Sequence, residues 1–144
     1  MALKFAQKGI AIDATHGTTG YGFLLTTVMV LDDWGQGFPA AWCISNHEDF
    51  THMCIFFKHI KMSCGILKPQ WLMSDTAEQF HNAWIGVMGD KPKKLLCTWH
   101  VDRAWQEQLS KKVKDPLVAA EIYVMLRAVL QETDETKFDS YLSQ

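Results

Sequence analysis

The sequence predicts an α/β fold in which a five-stranded mixed sheet is flanked by helices. Short apolar runs alternate with glycine-rich turns in the first third of the chain, and the apolar residues recur at helical spacing after residue 50. Two later apolar runs each lead into a helical stretch. With 144 residues, of which 48% are hydrophobic and 21% charged, the chain has the size and composition of one globular domain.

The first three strands are predicted to form an antiparallel meander. They cover residues 9–14, 23–31 and 38–44, which are rich in β-branched and small apolar residues. The connecting segments, 15–22 and 32–37, contain glycines that tolerate the backbone conformations of tight turns. Short turns of this kind join strands that are neighbours in one sheet.

The remainder of the chain alternates helices with two more strands. Phe50, Met53, Cys54, Phe57 and Ile60 share one helical face, and Gly65 and Pro69 end this helix. The later predictions are a strand over 70–74, a helix over 75–88, a strand over 94–98, and helices over 99–112, over 117–130 and from 136. A meander followed by strands that arrive through helical crossovers is the element order of an RNase H-like fold.

Two aspartates follow apolar strands. Asp13 ends the first strand and Asp75 the fourth, and carboxylates on adjacent strands can hold a divalent cation for phosphodiester chemistry. Each residue also has a structural interpretation. Asp13 can form an Asx turn with the backbone of Thr15 or Gly17, and Asp75 can be the N-cap of a capping box with Glu78.

Cys97 and His100 lie three residues apart where the fifth strand meets the third long helix. A structural zinc site would need about four ligands, and the other cysteines and histidines are scattered. A Cys–His nucleophilic dyad is a second alternative, although Cys97 falls within the predicted strand. The structural interpretations are a buried small hydrophobe for Cys97 and a helix cap for His100.

The net charge and the search for membrane and export segments limit the classes of protein that the sequence can represent. The net charge is −2, the pI is near 6.3, and the nearest basic clusters are 91–94 and 111–114. A domain that binds DNA alone usually has a basic face, so we expect nucleic-acid affinity to be supplied elsewhere. No apolar run of 18 residues and no export signal is evident, and we therefore expect four reduced cysteines in an intracellular protein.

Taken together, four segments resemble those of Mutator-like element (MULE) transposases. Residues 10–18 resemble the first catalytic block, 24–40 the hairpin that follows, 69–75 the second catalytic block, and 96–103 the Cys/Asp-x-x-His block. Glu48 falls where the family often carries an acidic residue ahead of the first helix. The resemblance extends over most of the first 108 residues.

The resemblance implies an RNase H-like core with an Asp-Asp-Glu triad, which uses Mg²⁺ or Mn²⁺ for DNA cleavage and strand transfer. By this resemblance Asp13 contacts two metal ions and Asp75 one of them, while Cys97 and His100 support the site. It also implies a nuclear protein that acts on transposon ends and target DNA through its full-length form, and that forms homo-oligomers.

The third acid of the triad has no assignment in this sequence. In the family a glutamate follows a helical insertion, whereas Glu121, Glu132 and Glu135 lie in the region that resembles the insertion itself. We therefore assign 1–114 to a catalytic core without its last segment and 115–144 to the start of the insertion, which we expect to continue beyond the chain. We expect these 144 residues alone to be inactive.

Two other functions remain open on the sequence. A domesticated transposase could keep the fold as a DNA- or protein-interaction module in transcription regulation; the unassigned glutamate and the acidic net charge favour it. A stand-alone RNase H-like nuclease would need more carboxylates than the sequence places.

Overall fold

The computed structural model of the chain describes residues 2–15 and 20–143. This part contains one five-stranded sheet and six helices. The strands are β1 (Ile10–Thr15), β2 (Leu24–Leu31), β3 (Gly37–Ser45), β4 (Trp71–Ser74) and β5 (Lys93–Leu96). The helices are α1 (Ala2–Ala6), α2 (Phe50–Cys64), α3 (Glu78–Met88), α4 (Thr98–Lys112), α5 (Pro116–Gln131) and α6 (Glu135–Leu142).

The strand order is β3-β2-β1-β4-β5, which places β1 at the centre of the sheet. β1 and β2 pair antiparallel, as do β2 and β3, whereas β4 runs parallel to both β1 and β5. The two parallel pairings require crossovers, and α2 and α3 supply them. This arrangement confirms the predicted α/β class and the RNase H-like order of strands.

The hydrophobic core lies between one face of the sheet and the helices α2 and α3. Ile10 and Ile12 of β1 are buried there, with exposed fractions of 0% and 2%. Phe57 of α2 and Trp84 of α3 are fully buried against each other, with ring centroids 5.2 Å apart in an edge-to-face arrangement. Burial of these large side chains fixes which face of the sheet the helices cover.

Local capping explains where several helices begin. The Asp49 carboxylate accepts a hydrogen bond from the backbone N–H of His52 at 3.0 Å and so caps α2. This backbone bond, with the side-chain bond to His52, holds the pKa of Asp49 below its usual value. Asp115 and Asp134 cap α5 and α6 in the same way, and Pro116 occupies the first turn of α5.

Two predicted elements have wrong boundaries. Helix α3 begins at Glu78 and not at residue 75, because the Asp75 side chain bonds the backbone of Ala77 and holds the segment out of the helix. Strand β5 covers 93–96 and not 94–98, since its neighbour β4 ends at Ser74, the partner of Leu96. Helix α1 was not predicted. Residues 16–19 of the predicted turn 15–22 lie outside the described residues.

The chain divides into two compact units, Met1–Leu96 and Cys97–Gln144. The first contains the sheet with α1, α2 and α3, and the second contains α4, α5 and α6. In the second unit, the Asp102 carboxylate of α4 accepts hydrogen bonds from Tyr123 at 3.0 Å and Arg127 at 3.2 Å, both on α5. The predicted boundary between residues 114 and 115 stays a prediction.

Candidate metal centre at the strand ends

Asp13 and Asp75 belong to neighbouring parallel strands and lie towards the same ends of these strands. The register of β1 and β4 pairs Ile10 with Leu72 and Ala11 with Met73. Two residues beyond the last recorded pair, the same offset of 62 residues matches Asp13 with Asp75, which directly follows β4. Neighbouring strands lie about 4.7–4.9 Å apart, so we expect the two aspartates to be near each other if the register continues.

The alternation of side chains along β1 determines which face of the sheet Asp13 lies on. Successive residues of a strand point to opposite faces, and Ile10 and Ile12 point into the core. Asp13, which is exposed, therefore lies on the face opposite α2 and α3. Asp75 is half-buried and directly follows β4, two residues after Met73, the partner of Ala11.

Trp71 and Gly9 form the beginning of the same row of cross-strand neighbours. A Cβ atom added at Gly9 would lie 2.0 Å from the Trp71 ring, so the ring occupies the space that a side chain at residue 9 would need. Along the two strands the row continues with Ala11 and Met73 and ends with the two aspartates. The close approach at Gly9 therefore belongs to the packing that aligns β1 with β4.

The backbone just after β4 holds the Asp75 carboxylate. Its Oδ1 accepts a hydrogen bond from Ala77 N at 2.9 Å, and Ser74 Oγ donates to the Asp75 carbonyl at 3.1 Å. The capping-box interpretation is wrong. The N-cap of α3 is Ala77, and Asp75 is two residues ahead of it in an Asx turn. An ionised carboxylate accepts several bonds, so the Ala77 bond is compatible with a cation ligand.

The sequence reasoning missed one side chain beside this loop. Lys94 of β5 donates to Glu78 Oε1 at 2.6 Å and approaches the carbonyl oxygen of Thr76 at 3.5 Å. The Lys94 hydrogen bond, with its charge, lowers the pKa of Glu78. In the sequence, Lys94 is the first residue of the otherwise apolar predicted strand 94–98. We interpreted it as part of the basic cluster 91–94.

A second acidic residue near the start of α3 forms a structural contact. Glu48, the residue ahead of the first long helix, accepts a hydrogen bond from Gln79 Nε2 at 3.0 Å. The bond links the segment before α2 to α3.

Cys97 and His100 begin helix α4. Cys97 is the N-cap in an extended conformation and makes no side-chain capping bond, so the prediction that it lies within β5 is wrong. The reason is again that β5 ends with β4. The His100 ring lies 4.8 Å from the Trp99 ring in an edge-to-face contact, and the Arg103 guanidinium lies 5.4 Å from the same indole. Their predicted supporting role stays a prediction.

The other candidate acids belong to the helical unit. Glu121 lies on α5, Glu135 begins α6, and Glu132 ends α5 while its carboxylate accepts from the backbone of Thr133 and Asp134. These two hydrogen bonds of the Glu132 carboxylate stabilise the turn between α5 and α6.

The donor set fits a magnesium-type site. Within residues 2–15 and 20–143, no three or more His, Cys, Asp or Glu side chains are grouped as a metal site would require, and this applies to the zinc alternative as well. Mg²⁺, however, is usually held by one or two carboxylates together with water and substrate phosphate oxygens. Asp13 and Asp75 fit that requirement in residue type.

The strand order and the parallel β1–β4 pairing define an RNase H-like fold. The chain belongs to the MULE transposase domain family, which matches residues 9–104. This match confirms the family resemblance. No curated protein is significantly similar to the chain in sequence.

Solved structures of retroviral integrases are similar to this chain at low identity. One is the simian T-cell lymphotropic virus intasome in complex with PP2A regulatory subunit B56 gamma, with 12% identity, 83% of this chain and 48% of that chain covered, and a TM-score of 0.44. This chain therefore spans about half the length of that relative. The HTLV-2 integrase catalytic core domain in complex with magnesium, in its dimeric form, shows 12% identity, coverage of 83% of both chains and a TM-score of 0.39.

No helix among the described residues is long and apolar enough to span a membrane. All four cysteines are free in the structure. Burial raises the pKa of the Cys43 thiol.

Proposed function

We propose that this chain is the core of a MULE-type transposase that cleaves DNA and transfers strands with Mg²⁺ or Mn²⁺. The observation that supports the proposal is the parallel β1–β4 register, which pairs Ile10 with Leu72 and Ala11 with Met73 and at the same offset matches Asp13 with Asp75. Oxygen ligands of this kind suit hard divalent cations. Family membership supplies the reaction class.

The chain's own contribution is to hold two carboxylates in place before DNA binds. Asp13 lies on the central strand and is paired with Thr27 of β2, so its backbone is held by the sheet. Asp75 is fixed by its bond to Ala77. A bound divalent cation would supply Lewis-acid activation of the attacking hydroxyl or water and would stabilise the leaving oxygen. A site oriented in advance lowers the reorganisation needed during the reaction.

The proposal includes the remaining features implied by the family. Cys97 and His100 support the reaction, and DNA is bound through the full-length protein, which acts as a homo-oligomer in the nucleus. The core spans 1–114 and a helical insertion begins at residue 115. The net charge of −2 is consistent with DNA contacts that lie outside this core.

The proposal is tested by Mn²⁺ binding to the purified chain, measured by electron paramagnetic resonance. Asp13→Asn and Asp75→Asn should each weaken binding by more than about tenfold, because each removes a charged oxygen ligand. Asp33→Asn is the matched control: Asp33 is an exposed aspartate of the β2–β3 turn that pairs with Lys4 at 3.3 Å. In the full-length protein, Mn²⁺-dependent nicking of plasmid DNA should fall to background in both site variants.

Equal Mn²⁺ affinity in the wild type and both site variants would show that the assigned site is wrong. A wild-type chain that neither binds Mn²⁺ nor gains stability from it would favour the second candidate, a domesticated protein without catalysis. The unassigned third acid favours that candidate. Against it, two carboxylates placed side by side repel each other unless a cation lies between them.

A further inference from the structure

We propose that Lys94 is a positioning residue for Asp75, because it ties the segment between β4 and α3 to the neighbouring strand β5. This inference rests on the proposed function, in which Asp75 is a metal ligand. Lys94 does not belong to the catalytic blocks that carry the family resemblance. Its role follows from three contacts around residues 75–78.

Lys94 contacts the Asp75 segment at two points. Its side chain is only 19% exposed, and its Nζ donates to Glu78 Oε1 at 2.6 Å. The same Nζ lies 3.5 Å from the carbonyl oxygen of Thr76, the residue directly after Asp75. One cation thus contacts both the segment that follows the metal ligand and the first residue of α3.

These contacts bear on the carboxylate through Ala77. Asp75 Oδ1 accepts a hydrogen bond from Ala77 N, and Ala77 lies between the two residues that Lys94 contacts. If the backbone at 76–78 moves, the donor to Asp75 moves with it. Groups that orient a metal ligand in this manner commonly affect metal affinity by about 10–100-fold.

The alternative interpretation is that Lys94 only stabilises the fold. The Glu78 side chain is 65% exposed, so solvent screens the ion pair, and the pair alone is expected to add little to stability. The contact with Thr76 and the low exposure of Lys94 are therefore better explained by local positioning. The two interpretations differ in what they predict for Mn²⁺ binding at unchanged stability.

The first experiment measures Mn²⁺ affinity in four variants. Lys94→Met should weaken binding by about tenfold, and Lys94→Arg should restore most of it, since arginine can still donate to both acceptors. Glu78→Gln breaks the ion pair at an exposed position and should weaken binding in the same direction without disturbing the core. Lys93→Met is the matched control, because Lys93 is the adjacent exposed lysine of the same strand.

The second experiment measures amide hydrogen exchange of the metal-free chain. Lys94→Met should accelerate exchange at Ala77 N–H, the donor to Asp75, and leave exchange in the central strand β1 unchanged. This readout does not depend on a metal ion. It therefore separates the two claims: absence of Mn²⁺ binding in the wild type contradicts the proposed function, whereas unchanged exchange at Ala77 contradicts the role of Lys94.

Two further results would overturn the inference. One is a Lys94→Met variant that binds Mn²⁺ as well as or better than the wild type, which would mean that the lysine charge opposes the cation and does not position its ligand. The other is an equal loss in Lys93→Met, which would indicate a general effect of charge on this strand.

Discussion

Gly9 leaves the space in which the Trp71 ring packs beside β1. A Cβ atom at residue 9 would meet three atoms of that ring at 2.0–2.3 Å. An indole held between strands cannot move aside as the end of a flexible side chain can. The sequence alone did not reveal this role, because a glycine before a strand also fits an ordinary turn.

We expect Gly9→Ala to lower the free energy of unfolding by about 1–3 kcal/mol, because the added methyl group forces Trp71 out of its position. Urea denaturation monitored by tryptophan fluorescence measures this change. Mn²⁺ affinity should fall as well, since Gly9 and Trp71 begin the row that ends with Asp13 and Asp75.

Gly20→Ala is the control for Gly9→Ala. A Cβ atom at Gly20 has no heavy atom within 4 Å, so we expect a change within about 0.5 kcal/mol. A Gly9→Ala protein as stable as the Gly20→Ala protein would contradict the packing described for Trp71.

At the scale of single residues, the sequence predicted the two aspartates but not the side-chain contacts around them. Asp13 and Asp75 are predicted as site residues because apolar runs end at them, and a strand end is a local property. Lys94 and its partner Glu78 are 16 residues apart, and the Glu48–Gln79 bond joins residues 31 apart. Such partners depend on the tertiary arrangement, which spacing along the chain does not encode.

Helix α3 ends at Gly89, whose backbone has a positive φ of 73° in the left-handed region. Its N–H donates to the carbonyl of Ile85 at 2.9 Å and closes the helix. We expect Gly89→Ala to lower the free energy of unfolding by about 1 kcal/mol, because an L side chain strains this conformation. Chemical denaturation measures the effect.

Gly86, in the same helix, provides a control of opposite sign. It is exposed, and a Cβ atom there would come no closer than 3.9 Å to Phe50. Gly86→Ala should therefore raise the free energy of unfolding by about 0.5–1 kcal/mol through helix propensity. If both substitutions change stability in the same direction, the assignment of Gly89 as the helix terminus is incorrect.

The contact between α4 and α5 should depend on pH. Burial raises the pKa of Asp102, but hydrogen bonds from Tyr123 and Arg127 outweigh it and lower the pKa below the usual value. Ionised Asp102 therefore stabilises the folded state above its unfolded pKa of about 3.9, and this stabilisation is lost as pH falls through the lower folded value.

We expect Asp102→Asn to lower the melting temperature at pH 7, and the difference from the wild type to shrink below about pH 4. Thermal melts followed by circular dichroism at several pH values test this. Asp139→Asn, an exposed change on α6, serves as the control. A difference that is constant from pH 7 to pH 3 would show that the Asp102 charge does not stabilise this contact.

Element types were more predictable than element ends. The spacing of apolar residues predicted all five strands and helices α2 to α6. The start of α3 depends on a side-chain hydrogen bond, and the start of α4 depends on where strand pairing ends. Asp75 bonds the backbone of Ala77, and β5 stops where β4 stops. Both effects involve groups whose positions the local pattern does not specify.

For the whole molecule, element order was sufficient to predict the sheet. Short turns between the first three strands predict antiparallel pairs, and crossovers through α2 and α3 predict parallel pairs; the observed sheet has both. The register of β1 against β4 was not predictable, because it depends on side-chain packing such as that of Trp71 over Gly9. That register is nevertheless the basis for the proposal that Asp13 and Asp75 share a metal site, and the functional conclusion rests on it.

The most direct test of this conclusion is a Mn²⁺ titration of the ¹⁵N-labelled chain, followed by paramagnetic broadening of its amide resonances. We predict that the signals around Asp13 and around Asp75 broaden together, at the same Mn²⁺ concentration and before any others. Broadening that begins around only one aspartate, or at an acidic segment of the helical unit such as 132–135, would contradict a shared metal site at the ends of β1 and β4.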